Sequence, residues 1–223
     1  MSVAPDVLAL LVRRAREHAA SGATGRLLVV VDGPAGSGKT TLAAQLAAPL
    51  AAQVVHMDDL YAGWDGVEEG VRVLHDDVLT PWSRGEDASY RRYDWVAGRR
   101  AERRHVSPSR PLLVEGCHAG RRPVDALDPF TVWVEAPDDV RLVRGLERDG
   151  AGMREQWLGF MTEERAAYER DRTWERAAVV LDGVGAIVAS RPRRAVALGT
   201  IAPTAGGSRD DGGAPDGHDR NES

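Results

Sequence analysis

Eight consecutive residues, Gly33-Pro34-Ala35-Gly36-Ser37-Gly38-Lys39-Thr40, carry the sharpest chemistry in this sequence. Glycine at the first, fourth and sixth places lets backbone N–H groups curl around an anion with no Cβ in the way. A helix starting here adds its unsatisfied N-terminal donors, and Thr41 carries the cradle into that helix. The spacing is that of a P-loop, in which the lysine reaches the outer phosphates of a nucleotide and the following hydroxyl binds Mg²⁺. Of 29 basic residues Lys39 is the only lysine, so it stands where an arginine would not do. Its place in a loop predicts an accessible side chain whose loss the fold tolerates.

Acids with suitable chemistry lie further along. His56-Met57-Asp58-Asp59-Leu60-Tyr61 follows an apolar run, and in a parallel sheet such a strand end faces the ligand crevice. Phosphoryl transfer to a hydroxyl needs a carboxylate that orients the acceptor and takes its proton, and Asp58 is the candidate, able also to hold metal-bound water. The plainer alternative is that Asp58 and Asp59 cap the next helix. Leu112-Leu113-Val114-Glu115 ends a second apolar run in an acid, as a second metal-site carboxylate requires. Arg141, Arg144 and Arg148 recur at intervals of three and four and so share one helix face, suited to phosphate oxygens or else simply solvated. A guanine-specific switch carrying Asn-Lys-x-Asp is excluded, because the single asparagine is Asn221 and the single lysine is Lys39.

Other features carry less. Arg91-Arg92, Arg99-Arg100 and Arg103-Arg104 read as solvated loops, since a net charge of −5 gives no general attraction to nucleic acid. The histidines lack metal-ligand spacing. Cys117, the single cysteine, excludes an internal disulfide framework and reads as a small buried residue.

The elements that must position these groups follow from periodicity. Val7, Leu8, Leu10, Leu11 and Ala15 predict an N-terminal amphipathic helix before Ser21-Gly22. Strands are predicted over 27–31, 53–57, 111–115, 131–136 and 179–181, the first with three consecutive valines as expected of a strand covered on both faces. Helices are predicted over 40–52, with Pro49 near its end, over 137–149, and with little interruption over 153–178, Gly150 to Gly152 standing between the last two as a hinge. Alternating strands and helices in one chain of 223 residues predict a three-layer α/β fold with a mainly parallel central sheet, as one domain over 1–199. Residues 184–199 are placed only loosely. From Thr200 to Ser223 the composition predicts a disordered tail. No apolar run is long enough to cross a bilayer and no secretory signal is evident, so the cytoplasm is the expected compartment.

Four segments together resemble the uridine kinase-like branch of the P-loop kinases, related to phosphoribulokinase and bacterial pantothenate kinase. They are Asp32 to Thr41; Met57-Asp58-Asp59-Leu60-Tyr61; Tyr93-Asp94-Trp95 followed by Leu113-Val114-Glu115-Gly116; and Arg141 to Asp149. The resemblance implies that Asp58 is the catalytic base and that Thr40 and Glu115 help hold Mg²⁺. It also implies that Tyr61, Tyr93 and Asp94 lie near the acceptor, and that the arginine-rich helix belongs to a helical lid closing over the phosphates. Two departures stand out. Arg144-Gly145 replaces the paired arginines usual in such kinases, and no Phe-Asp-x-Pro segment follows the acid, Trp64-Asp65-Gly66 occupying that stretch. The function implied is transfer of the γ-phosphoryl of ATP to a small-molecule hydroxyl, foremost a nucleoside such as uridine. The alternatives are a nucleoside monophosphate or other metabolite kinase, and a non-catalytic nucleotide-binding regulator.

Overall fold

The structure, a computed structural model, describes residues 2–22 and 25–191. The tail expected over 200–223 and the domain boundary at 199 lie outside the described residues.

After helix α1 (Pro5–Ala20) the chain enters strand β1 (Leu28–Asp32), turns through the glycine-rich loop and continues as α2 (Lys39–Leu50). Pro49 falls in the last turn of α2, and the helix closes at once on a left-handed Ala51 (φ 52°). Strand β2 (Gln53–His56) runs into a 3₁₀ turn, Met57–Asp59. Next come α3 (Val67–Val73), a π-helical stretch (Leu74–Leu79) and α4 (Thr80–Arg84), then a hairpin of β3 (Ala88–Asp94) and β4 (Arg99–Val106). Strands β5 (Leu112–Glu115) and β6 (Phe130–Val134) return to the main sheet. Helices α5 (Asp138–Asp149), α6 (Arg154–Asp171) and α7 (Thr173–Arg176) precede β7 (Val179–Leu181) and β8 (Ile187–Ser190).

The main sheet has the order β2-β5-β1-β6-β7-β8, with only the β7–β8 pair antiparallel. Successive side chains of a strand point to opposite faces, and both faces here are apolar. Leu28, Val30, Leu112 and Val114 pack into one core with Leu60, Leu74, Leu79 and Trp82. Val29, Val31, Leu113 and Val132 pack into the other, under Leu11 of α1 and Leu42 and Leu46 of α2. The expected three-layer α/β architecture is therefore observed. Parallel register also decides where the chemistry lies: Glu115 is opposite both Val31 and His56, so the ends of β1, β2 and β5 open onto one edge.

Three readings of the sequence need correction. The arginine pairs are not in loops: they lie on β3 and β4, which form a separate antiparallel ribbon. There they pair with acids, Arg92 with Glu102 at 2.8 Å and Arg100 with Glu69 at 2.8 Å. The long helix of 153–178 breaks at left-handed Arg172 (φ 54°), which separates α6 from α7. Part of the loosely placed 184–199 stretch is β8, the remainder from 192 lying outside the described residues. Among the described residues no helix is long and apolar enough to cross a membrane.

Candidate active site

The loop between β1 and α2 curls as its glycines predict. Gly36 has φ 76°, and a Cβ there would lie 2.6 Å from the backbone oxygen of Arg141, so both conformation and space require glycine. Ser37 is buried, and its Oγ has no protein partner among the described residues, a donor left available to an anion in the loop. Lys39 begins α2 and its ammonium donates to Pro34 O at 2.9 Å, with Cys117 Sγ 3.5 Å away. Only 7 % of Lys39 is exposed, which corrects the expectation of an accessible side chain. Burial works against its charge, but Cys117, Glu164, Glu115 and Asp32 outweigh that and hold the ammonium above its ordinary range.

Facing the loop are the acids at the strand ends. Thr40 Oγ1 lies 3.2 Å from both carboxylate oxygens of Glu115, and His56 Nδ1 lies 2.6 Å from Glu115 Oε1. That hydrogen bond is the main reason the His56 imidazole is held above its usual range. Asp58 sits on the 3₁₀ turn after β2, where burial first and Glu115 second push its carboxyl up. Neither Asp58 nor Asp59 caps a helix through its side chain, and α3 starts only at Val67 behind Gly66, so the capping alternative is not realised. Asp59 turns instead to the hairpin, accepting from the Tyr90 hydroxyl at 3.4 Å. Thr40, Glu115 and Asp58 thus offer hard oxygen donors beside the loop. Among the described residues no three His, Cys, Asp or Glu side chains form a cage of their own. The Thr40, Glu115 and Asp58 oxygens fit Mg²⁺, which is typically held by one or two carboxylates and completed by substrate phosphates and water.

Three residues outside the eight-residue loop motif hold it from behind. The Tyr168 hydroxyl donates to Asp32 Oδ1 at 2.7 Å, lies 2.9 Å from Gly33 O and accepts from His118 N. Asp32 also accepts from Gly33 N and Gly120 N, and burial raises its carboxyl above the usual range. Glu164, one helical turn before Tyr168, accepts from Ala35 N at 2.7 Å and from Arg141 at 3.1 Å. This last contact corrects the expectation that Arg141 meets phosphate oxygens of a substrate. It is 3 % exposed, pairs with Glu164 and does not line the cavity.

A cavity of about 840 Å³ opens between the loop and the lid of α5 and α6. Lys39, Thr40, Thr41, Arg144 and Arg148 form one part of its wall, with Asp58 and Tyr61 beside them. Arg144 donates to Gly36 O at 3.2 Å and to Gly183 O at 3.4 Å, bridging lid, loop and the β7–β8 turn. Arg148 makes a two-point bond to its neighbour Asp149 and lies over the Trp157 ring. Gly145 explains the missing second arginine, because a Cβ there would come within 2.4 Å of the Trp157 ring that packs on it. Tyr93 and Asp94 do not reach the cavity. Asp94 accepts from Val96 N and Ala97 N and so builds the hairpin turn, which carries Trp95 and Val96 into the cavity wall instead.

The two lid arginines should separate kinetically. For a phosphoryl transfer at this site, Arg148→Ala is expected to lower turnover about tenfold or more with ATP affinity little changed, because an arginine that meets the transferring group acts most in the transition state. Arg144→Ala should weaken both, since it also removes the bond to the loop carbonyl. Titration of ATP binding beside turnover checks this, and unchanged turnover in both variants would make the arginines structural.

No curated protein matches the sequence. The fold is shared with solved structures of low identity. A possible uridine kinase from Bacillus stearothermophilus is 22 % identical, with a TM-score of 0.56 over 78 % of this chain and 97 % of that one. A proposed fructose transport system kinase from Silicibacter sp. TM1040 is 21 % identical, with a TM-score of 0.52 over 74 % of this chain and 94 % of that one. The sequence family described as AAA domain matches residues 29–184, from β1 through the lid to the turn after β7. With the glycine-rich loop, the strand-end acids and the lid all inside that match, the chain belongs to the AAA domain family of P-loop proteins, in a fold it shares with uridine kinase-like structures.

Proposed function

We propose that this protein is an ATP-dependent kinase that transfers the γ-phosphoryl group to a hydroxyl of a small molecule. The observation that carries the reading is that the Asp58 carboxylate lines the same cavity as Lys39 and Thr40. A raised carboxyl is a stronger base toward an alcohol than an ordinary aspartate. In this reading the acceptor oxygen attacks the γ-phosphorus, the bond to the β–γ bridging oxygen breaks, and the acceptor proton passes to Asp58. Lys39 and Arg148 meet the charge that develops on the phosphoryl oxygens, and the loop amides hold the remaining phosphates. Thr40 and Glu115 would hold Mg²⁺, which neutralises phosphate charge when bound.

A nucleoside such as uridine is the first acceptor to test, on the resemblance and on the likeness to the possible uridine kinase from Bacillus stearothermophilus. A nucleoside monophosphate fits less well, because the cations lining the cavity, Lys39, Arg144 and Arg148, belong to the loop and lid. A cytoplasmic site of action would supply ATP and Mg²⁺. The reading is tested by ADP release with a panel of alcohols, uridine, uridine monophosphate and simple sugars among them. Tight ATP binding with no acceptor-dependent ADP release would favour the regulator reading instead.

A further inference from the structure

The part of the cavity wall grouped around Asp58 is made largely of aromatic carbon. Trp95 of the hairpin turn, Trp64 of the loop after the 3₁₀ turn and Phe160 of α6 all line it. They touch in a row, Trp95 to Trp64 at 5.9 Å and Trp64 to Phe160 at 5.7 Å between ring centroids, each pair edge to face. The row adjoins the proposed base directly, since Trp95 Nε1 donates to the backbone oxygen of Asp58 at 2.8 Å. Val67, Val96, Met153 and Trp157 extend the apolar lining.

What matters for a ligand is where the polar tips of these side chains go. The Trp95 N–H is taken by Asp58 O, and that of Trp157 by Asp149. The Tyr61 hydroxyl donates to Cys117 O. Asp149 is occupied by Arg148 as well as Trp157. Of these side chains, the Trp64 N–H alone has no protein partner among the described residues. Each polar group that a ligand buries here without a matching hydrogen bond costs on the order of tenfold in affinity. A sugar ring or a base edge brings several such groups, whereas an apolar ring brings none and gains the aromatic faces.

We propose that the acceptor is an alcohol carried on an apolar, ring-bearing body, such as an aryl-alkyl alcohol, and that Trp64, Trp95 and Phe160 select it over polyhydroxylated acceptors. The inference rests on the kinase reading for the direction of the hydroxyl toward Asp58, but the wall can be tested without turnover. Binding of 2-(1-naphthyl)ethanol, 3-phenyl-1-propanol, uridine and glucose would be measured calorimetrically in the presence of a non-hydrolysable ATP analogue and Mg²⁺, and ADP release would be followed with ATP. The expected result is binding and ADP release at least tenfold stronger with the aryl alcohols, with Trp64→Ala raising their KM tenfold or more at unchanged ATP affinity. Trp64→Phe, which keeps a ring, should restore most of it and guards against misfolding in the alanine variant. Aryl alcohols that bind but release no ADP would support the wall assignment and sink the kinase reading. Preference for uridine or glucose, or no binding of any of the four, would overturn the proposal. So would a loss of ATP affinity in Trp64→Ala with acceptor KM unchanged, which would give the row to the adenine ring.

Discussion

Lys39→Ala is expected to lower turnover by about a hundred- to a thousandfold, the scale of removing one preorganised charge from a developing phosphoryl transition state. The loop amides and the start of α2 remain, so ATP should still bind, though more weakly. Because Lys39 is buried among Asp32, Glu115 and Glu164, the substitution also removes the cation that these carboxylates face. Burial already holds Asp32 and Glu164 above their ordinary range, so they can answer the loss by taking up protons rather than remaining charged and unpaired. The variant should therefore fold with a lowered melting temperature. Single-turnover kinetics beside thermal melting separates the two effects. A folded Lys39→Ala protein with full turnover would remove phosphoryl transfer from consideration.

Asp58→Asn is expected to lower turnover by about a hundred- to ten-thousandfold, the range for a lost general base. The side chain keeps its size, and the contact between Trp95 and Asp58 uses a backbone oxygen, so the cavity wall survives the change. ATP affinity should be nearly unaffected. Asp59→Asn is the informative partner. Asp59 faces Tyr90 of the hairpin, and its variant should retain most activity. Loss of turnover in Asp59→Asn with activity kept in Asp58→Asn would show that the neighbouring carboxylate is the base.

How much of this was legible in the sequence depended on whether neighbours in space were also neighbours in the chain. The glycine-rich loop was, because one turn of backbone does its work and all its residues are contiguous. Glu115 and Asp58 were legible as acids ending apolar runs, and parallel register then set Glu115 beside His56. The hairpin was not. A ribbon whose strands read ASYRRYD and RRAERRHV has too few apolar residues to show alternation, and it is held by cross-strand ion pairs and by its base, where Ala88, Tyr90 and Val106 enter the core. Spacing placed Arg141 with Arg144 and Arg148 on one face but could not show that Glu164, 23 residues away, would take its charge. Tyr168 and Asp32 meet across 136 residues, a separation over which no local pattern speaks. Lys39 was expected in the open because loops usually lie at the surface, whereas here Asp32 and Glu115 at the strand ends, Cys117 and Glu164 surround it.

The contacts of Glu164 and Tyr168 with the glycine-rich loop also divide α6 mechanically. The C-terminal half is pinned to Ala35 and Asp32, while the N-terminal half carries Trp157 and Phe160 to the cavity wall. Glu164 is then the anchored end of an arm that reaches the cavity wall. At 1.5 Å of rise per residue, Phe160 lies about 6 Å and Trp157 about 10 Å along the arm. A tilt of about 15° about that point would carry the Trp157 end by about 3 Å, the distance between van der Waals contact and open water. Gly145 of α5 sits under that end with the Trp157 ring on it, while Arg144 beside it is bonded to Gly36 O and Gly183 O. The Trp157 ring, packed on Gly145 and beneath Arg148, therefore ties the cavity-lining arm of α6 to the arginine face of α5.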